Sequence, residues 1–162
     1  MLKKKNTRTW SVTPSTTTRI VAGLFRSRNF VWDSDSRVAA DFGVSWTQFL
    51  VLRALRFTND DFTMSPTELY SATQASSSGI AKMLRGLAEK GLVERLSNPD
   101  DARSTLVRLT SSGADLVEAI IDQLVVTNTK LFADVLSHED REQLADLLER
   151  LSRALEQRKK QS

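Results

Sequence analysis

The chain contains no cysteine and a single histidine, His138. The lack of cysteine excludes disulfide bonds, thiolate metal sites and thiol-based redox switches. One histidine is too few for a histidine-based zinc centre and offers little for acid–base catalysis. We therefore expect the protein to work without a metal or any other cofactor.

Long apolar runs and phosphate-binding glycine motifs are also missing. The strongly apolar stretches are short, such as Phe49–Leu52, whereas a membrane-spanning helix needs about 18 apolar residues. The glycines form neither a G-x-G-x-x-G pattern nor a P-loop. We expect a cytoplasmic protein that is not an enzyme, with no membrane contact. Its 162 residues allow one domain or a small pair of domains.

The net charge of +3 is too small to indicate a binding partner, but the charges are unevenly distributed. Residues 1–32 hold seven basic and no acidic side chains, and residues 75–110 hold six basic and four acidic ones. The segments 33–74 and 111–162 are both net acidic. This distribution predicts one surface that faces a polyanion, with ordinary solvated helix faces as the alternative interpretation.

Signals for helix starts recur along the chain and predict a mostly helical fold. Ser45 with Gln48, and Ser65 with Glu68, have the spacing of a capping box, in which two side chains satisfy free backbone N–H groups. Apolar spacing predicts a first helix from about residue 15 toward residue 40. Later helices are predicted to be capped by Ser76, Thr110 and Ser137.

Two short β-like runs interrupt the helical pattern. Leu92–Leu96 and Leu106–Leu109 alternate polar and apolar residues, and the turn signature Asn98–Asp101 joins them. Two helices followed closely by a hairpin have the order of a winged helix-turn-helix. The predicted fold is mainly α with a small β-hairpin wing, flanked by N- and C-terminal helices for dimerisation.

The helix before the hairpin, Ser76–Lys90, has the composition of a DNA-recognition helix. One face is predicted to be buried through Ile80, Leu84 and Leu87. The opposite face offers small hydrogen-bonding groups at the N-terminal tip and cations along the flank, as a helix in the major groove needs. The predicted contacts are Ser76, Ser77, Ser78, Lys82 and Arg85. A surface helix with a serine cap is the alternative.

The tip of the hairpin carries Asp101, Ala102 and Arg103. An arginine at this position suits the narrow, electronegative minor groove, and Asp101 can hold its guanidinium in place. The alternative is a polar turn with a surface ion pair of little energetic value.

Leucines at 4-3-4 spacing near the C-terminus predict a coiled-coil-like seam. They are Leu144, Leu148, Leu151 and Leu155. Either this seam packs within one chain or it is buried against a second copy, and we favour the second copy. Leu24 and Phe25 of the first helix are predicted to complete the dimer interface.

The motifs from the end of the recognition helix onward resemble the MarR family of bacterial transcriptional regulators. The matching stretches are 91–95 and 98–113, with their Asp-x-Arg wing and Leu-Thr-x-x-Gly helix start, and 43–48, with its Gly-Val-Ser-x-x-Gln pattern. The resemblance covers roughly residues 15–156. It implies an obligate homodimer on a pseudo-palindromic operator in double-stranded DNA, with Ser76–Lys90 as the recognition helix and Arg103 in the minor groove.

These patterns together predict a division of the chain. It comprises a flexible basic arm (1–14), a helical dimerisation region (15–44 and 111–156), the winged helix-turn-helix domain (45–110) and a C-terminal tail (157–162).

The resemblance also implies release of DNA by a small aromatic or phenolic effector, while the lack of cysteine excludes a thiol sensor. We predict that Trp32, Trp46 and Phe49 line an effector pocket, with a purely structural core role as the alternative. The predicted function is a sequence-specific repressor. The alternative is a winged-helix module for protein contacts, or an antirepressor that does not bind DNA. The cations Lys82, Arg85 and Arg103 argue against that alternative.

Overall fold

A computed structural model of the chain describes residues 14–58, 61–73, 77–98 and 101–161, which form helices and a small sheet. The elements are α1 (Thr16–Asp41), α2 (Trp46–Thr58), β1 (Thr63–Met64), α3 (Pro66–Thr73), α4 (Ser77–Glu89), β2 (Val93–Asn98), β3 (Asp101–Leu109), α5 (Ser111–Ala133) and α6 (His138–Gln161). The predicted, mainly α fold with a β-hairpin is confirmed. The chain divides into two compact units, residues 1–34 and 35–162.

Both predicted capping boxes are present. The Oγ of Ser45 accepts a hydrogen bond from the backbone N–H of Gln48 at 3.2 Å, and the Gln48 side chain accepts one from the N–H of Ser45 at 2.9 Å. Ser65 and Glu68 repeat this arrangement at 3.2 and 2.7 Å. Because each pair satisfies two N–H groups at a helix start, these bonds explain why α2 and α3 begin where they do.

The predicted caps of the two C-terminal helices are also confirmed. Thr110 has an extended backbone, and its Oγ1 accepts from the N–H of Gly113 at 3.0 Å at the start of α5. Ser137 accepts from the N–H of Asp140 at 3.1 Å at the start of α6. The predicted cap of α4, Ser76, lies outside the described residues.

The sheet has three antiparallel strands in the order β1-β3-β2. The hairpin β2–β3 is longer than the sequence pattern predicted, with Val93 opposite Leu109 and Leu96 opposite Leu106. The two-residue strand β1 was not predicted, because a run this short carries no readable alternation. It pairs with the last residues of β3, so that Met64 lies opposite Val107.

The hydrophobic core of the second unit joins α2, α3, α4, the sheet and the first half of α5. The predicted stripe of α4 belongs to it, since Ile80, Leu84 and Leu87 are almost completely buried. The largest fully buried side chains are Phe49, Leu52, Leu55, Leu69, Ile80, Leu87, Ile120, Val51, Val107 and Val117. Burying this stripe fixes which face of α4 remains for solvent or a partner.

The first unit is described from residue 14 and consists of the helical segment 16–34 of α1. This segment is largely exposed and carries several large apolar side chains on its surface, which are Ile20, Val21, Leu24, Phe25, Phe30 and Trp32. Among the helices of the described residues, none has the length and apolar character needed to cross a bilayer.

Candidate nucleic-acid interface

Helix α4 has two chemically different faces. Opposite the buried stripe, Ala81, Lys82 and Arg85 are all exposed. They follow the same 3–4 residue spacing as the buried residues, so they line one side of the helix. The middle of α4 therefore presents two cations on a surface that packing leaves open.

Part of the predicted contact surface lies outside the described side chains. Ser76 lies outside the described residues, and so do the side chains of Ser77, Ser78, Asp101 and Arg103. In the backbone, residues 77 and 78 form the first turn of α4, and residues 101 and 103 belong to the start of β3.

The hairpin has an irregular register next to its tip. Ser97 lies opposite Thr105, but its neighbour Asn98 lies opposite Asp101, so residues 102–104 form an insertion on β3. The Asn98 side-chain amide donates to the Oγ of Ser104 at 2.8 Å, across the base of this insertion. Arg103 is its middle residue and is therefore a bulged strand residue. Bulges commonly redirect side chains out of a regular sheet.

Five of the six cations of the block 75–110 have side chains that the structure describes, and their surroundings differ. Arg108 lies opposite Glu94 across the hairpin, and its Nε donates to the Glu94 carboxylate at 2.8 Å. The ammonium of Lys90 donates to the backbone carbonyl of Gly43. Lys82, Arg85 and Arg95 are exposed. The net charge of the block counts all these residues alike. In the structure, however, Lys90 and Arg108 already form hydrogen bonds with other groups of the same chain.

Helix α3, which precedes α4, is held at its start by a charged capping residue. The backbone N–H of Ser65, and secondarily its hydroxyl, hydrogen-bond the Glu68 carboxylate and lower the pKa of Glu68 below its ordinary value. The ionised form is therefore favoured at the positive N-terminal end of the helix.

The residues predicted for dimerisation are exposed in the single chain. The four leucines of α6 are at least 38% exposed, and Leu155 reaches 55%. In the first unit, Leu24 and Phe25 are exposed as well. Large apolar side chains in a row along a helix are costly to expose to water, so these residues are a candidate contact surface.

A cavity of about 990 Å³ lies between α2, α5 and α6. Phe49, one of the predicted pocket residues, lines it, and Trp46 packs against Phe49 with ring centroids 5.0 Å apart. Trp32 belongs to the first unit, where the guanidinium of Arg28 lies 4.9 Å from the centre of its ring.

The sequence prediction missed most of the cavity lining. Arg53 and Phe57 follow Phe49 at steps of four along α2, a spacing that places all three on one helix face. The α2 residues of the lining could be predicted from that spacing. The residues of α5 and α6 could not, because they reach the cavity only through the packing of those helices. They add Phe132, His138, Arg141, Leu144 and Leu148, among others.

Helices α3 and α4 followed by the β2–β3 hairpin define the protein as a winged helix-turn-helix protein. A model of the MarR family matches residues 42–104, which contain α3, α4 and β2 and end within β3. The chain is 37% identical to the multiple antibiotic resistance protein MarR of Salmonella typhimurium over 75 residues, or 46% of this chain and 50% of that protein.

Solved structures agree with this assignment. The apo form of MarR from Escherichia coli is 30% identical, with a TM-score of 0.66 over 79% of this chain and 95% of that one. A point mutant of the same protein in complex with operator DNA is 29% identical, with a TM-score of 0.63 over 85% and 99%. BpsR of Bordetella bronchiseptica, whose DNA binding is regulated by 6-hydroxynicotinic acid, is 25% identical, with a TM-score of 0.65 over 83% and 98%.

The chain therefore belongs to the MarR family of transcriptional regulators. Members of this family are regulators and not enzymes, which confirms the prediction from the missing catalytic motifs.

Proposed function

We propose that this protein is a sequence-specific repressor that binds double-stranded DNA. The observation that carries the proposal is the pair of exposed cations on α4, Lys82 and Arg85, directly opposite the buried stripe of the same helix. A helix that is held by one face and carries cations on the other can enter the major groove and contact phosphates and base edges.

The wing supplies a second contact in this proposal. Arg103 is the middle residue of the insertion 102–104, so the regular hairpin pairing does not constrain it. An arginine in such an insertion suits the minor groove next to the recognition helix, with Asp101 as the carboxylate that orients its guanidinium. The operator complex of the related E. coli MarR mutant supports DNA as the partner.

The functional unit we propose is a homodimer. The exposed leucines of α6 and the exposed Leu24 and Phe25 of α1 form apolar surfaces that a second copy would bury. Two-fold symmetry then requires a pseudo-palindromic operator. Its half-sites should lie about one helical turn apart (~10 base pairs), because both recognition helices must meet the same face of the duplex.

We further propose that the cavity between α2, α5 and α6 binds a small aromatic or phenolic effector. Phe49, Phe57 and Phe132 supply apolar and aromatic surface, while Arg53 and Arg141 supply positive charge for an acidic group. Leu144 and Leu148 line the same cavity, so a ligand there would contact both the winged domain and the proposed dimer seam. The regulation of the related BpsR by 6-hydroxynicotinic acid supports this chemistry.

An effector can release DNA only if it binds the DNA-competent and DNA-incompetent states with different affinities. The effector proposal is tested by titrating hydroxybenzoic acids into the complex of the protein with DNA. The release of DNA is measured by fluorescence anisotropy. We expect at least one acid to release DNA from the wild type and to lose this effect in Arg53→Ala, but not in Arg150→Ala on the exposed face of α6. Equal release from both variants would contradict the cavity assignment.

DNA binding itself is tested by selecting duplexes from a random library with the full chain and measuring affinity against salt concentration. We expect the logarithm of the binding constant to fall steeply with the logarithm of salt. In Lys82→Ala the slope should be reduced by about 0.9 for each phosphate that the lysine neutralises in the wild type. No binding to any duplex at low salt would favour the alternative, a winged-helix module for protein contacts. Repression is tested by placing the selected duplex across a reporter promoter.

A further inference from the structure

Lys90 follows directly after α4 and would ordinarily be counted among the DNA-contacting cations of the winged domain. Its ammonium instead donates a hydrogen bond to the backbone carbonyl of Gly43. Gly43 is distant in sequence and lies in the turn between α1 and α2. The contact therefore joins the end of the proposed recognition helix to a different part of the fold.

The two ends that Lys90 joins are both helix C-termini. Gly43 follows α1 with a φ of +75°, and its N–H donates to Ala40 at 2.9 Å. Gly91 follows α4 with a φ of +69°, and its N–H donates to Ala88 at 2.9 Å. Helix C-termini carry partial negative charge, so they repel each other unless a cation lies between them. Lys90, the residue directly after α4, places its cation at the C-terminal end of α1.

A second contact brings α4 close to the turn between α1 and α2. A Cβ added at Gly86 would lie 3.6 Å from Nε2 of Gln48, which belongs to the capping box of α2. The second half of α4 thus lies close to the turn between α1 and α2, and a larger side chain than glycine would occupy this space.

The other side of the α4 terminus is tied to α5. The hydroxyl of Thr110 donates to the carbonyl of Gly91 at 2.8 Å, and the Thr110 N–H donates to the carbonyl of Leu92 at 3.2 Å. The C-terminal end of α4 is therefore held between the α1–α2 turn and the first turn of α5. The direction of α4 therefore depends on its contacts with both of these regions.

We propose that Lys90 is a positioning residue for DNA recognition and not a phosphate ligand. By joining the C-terminal ends of α4 and α1, it fixes the direction in which α4 presents Lys82 and Arg85. This inference rests on the proposed function. Specific binding depends on the orientation of α4, because its side chains must meet the base edges in one register. Non-specific attraction to phosphates does not depend on this orientation.

The test compares Lys90→Met with Lys82→Met, which removes a cation from the exposed face of α4. Affinity is measured for the selected duplex, for a scrambled duplex and as a function of salt. For Lys90→Met we expect about tenfold weaker binding to the selected duplex, equivalent to ~1.4 kcal/mol. Binding to the scrambled duplex and the salt slope should be those of the wild type. Lys82→Met should instead reduce the salt slope.

Lys90→Arg keeps a cationic donor and should restore most of the specific affinity. All variants are compared at a temperature at which circular dichroism shows them folded. If Lys90→Met does not fold, Lys90→Gln, which keeps a donor but removes the charge, takes its place with the same expected pattern.

A reduced salt slope in Lys90→Met would identify Lys90 as a phosphate ligand and overturn the proposal. Unchanged affinity for the selected duplex would overturn it as well. Both results differ from failure of the proposed function, in which the wild-type chain itself would bind no duplex.

Discussion

Gly113 in the first turn of α5 lies directly against the backbone carbonyl of Leu92. A Cβ at Gly113 would lie 2.2 Å from that oxygen and 2.7 Å from Cδ1 of Leu109. The oxygen belongs to the backbone and has no flexible side chain that could move away. Only glycine therefore allows α5 to start this close to the junction between α4 and β2.

Gly113→Ala should destabilise the protein, although alanine is normally the better helix former. We expect a loss of about 2 kcal/mol in the free energy of unfolding, since strands and helix would have to shift to relieve the clash. Urea titration measures this loss. Gly23→Ala is the matched control, because no atom lies within 4 Å of a Cβ at that helical position. It should be neutral or slightly stabilising, and an equally neutral Gly113→Ala would contradict the close approach.

The wing assignment is tested by Arg103→Ala. We expect it to weaken binding to the selected duplex by about 1–3 kcal/mol, because alanine cannot reach into the minor groove, while the dimer remains intact. Anisotropy titration measures the affinity, and sedimentation measures the oligomeric state. Arg150→Ala, which removes a cation from the exposed surface of α6, should bind as the wild type does. Unchanged affinity in Arg103→Ala would rule out the wing contact.

The proposed dimer seam is tested by Leu148→Asp. A carboxylate among the leucines of α6 should produce monomers and abolish tight DNA binding, since burying an unpaired charge is costly. Sedimentation velocity shows the change in mass. Gln143→Asp adds the same charge on another face of α6 and should leave the dimer unchanged. If Leu148→Asp remained dimeric, the seam would have to pack within one chain.

The capping box at α3 predicts a specific pH dependence. Because the Ser65 N–H lowers the pKa of Glu68, the ionised carboxylate stabilises the fold at pH values above the ordinary glutamate pKa of 4.5. This contribution is lost as the pH falls through the lowered pKa of the folded state.

Glu68→Gln keeps the acceptor but does not titrate, so it is the appropriate comparison. The stability difference between wild type and Glu68→Gln should be constant at neutral pH and should shrink as the pH falls below about 4.5. Thermal unfolding measured from about pH 7 to about pH 3 reveals this difference. A difference that grows on acidification would mean that the pKa of Glu68 is raised and not lowered.

The sequence by itself determined the local features of this protein. Capping at Ser45, Ser65, Thr110 and Ser137 was predictable because each bond joins residues three apart. The buried stripe of α4 was predictable because helical periodicity alone defines a face. The Leu-Thr-x-x-Gly motif pointed to the start of α5, and composition alone excluded thiol chemistry.

Only the tertiary structure decided which groups meet across long stretches of chain. The sequence contains no local signal that Lys90 reaches Gly43, that Gly113 lies against Leu92, or that two residues at Thr63–Met64 form a strand. The cavity between α2, α5 and α6 likewise arises from three separate segments. Such contacts depend on how whole helices pack, because packing brings together residues whose separation along the chain leaves no periodic pattern to read.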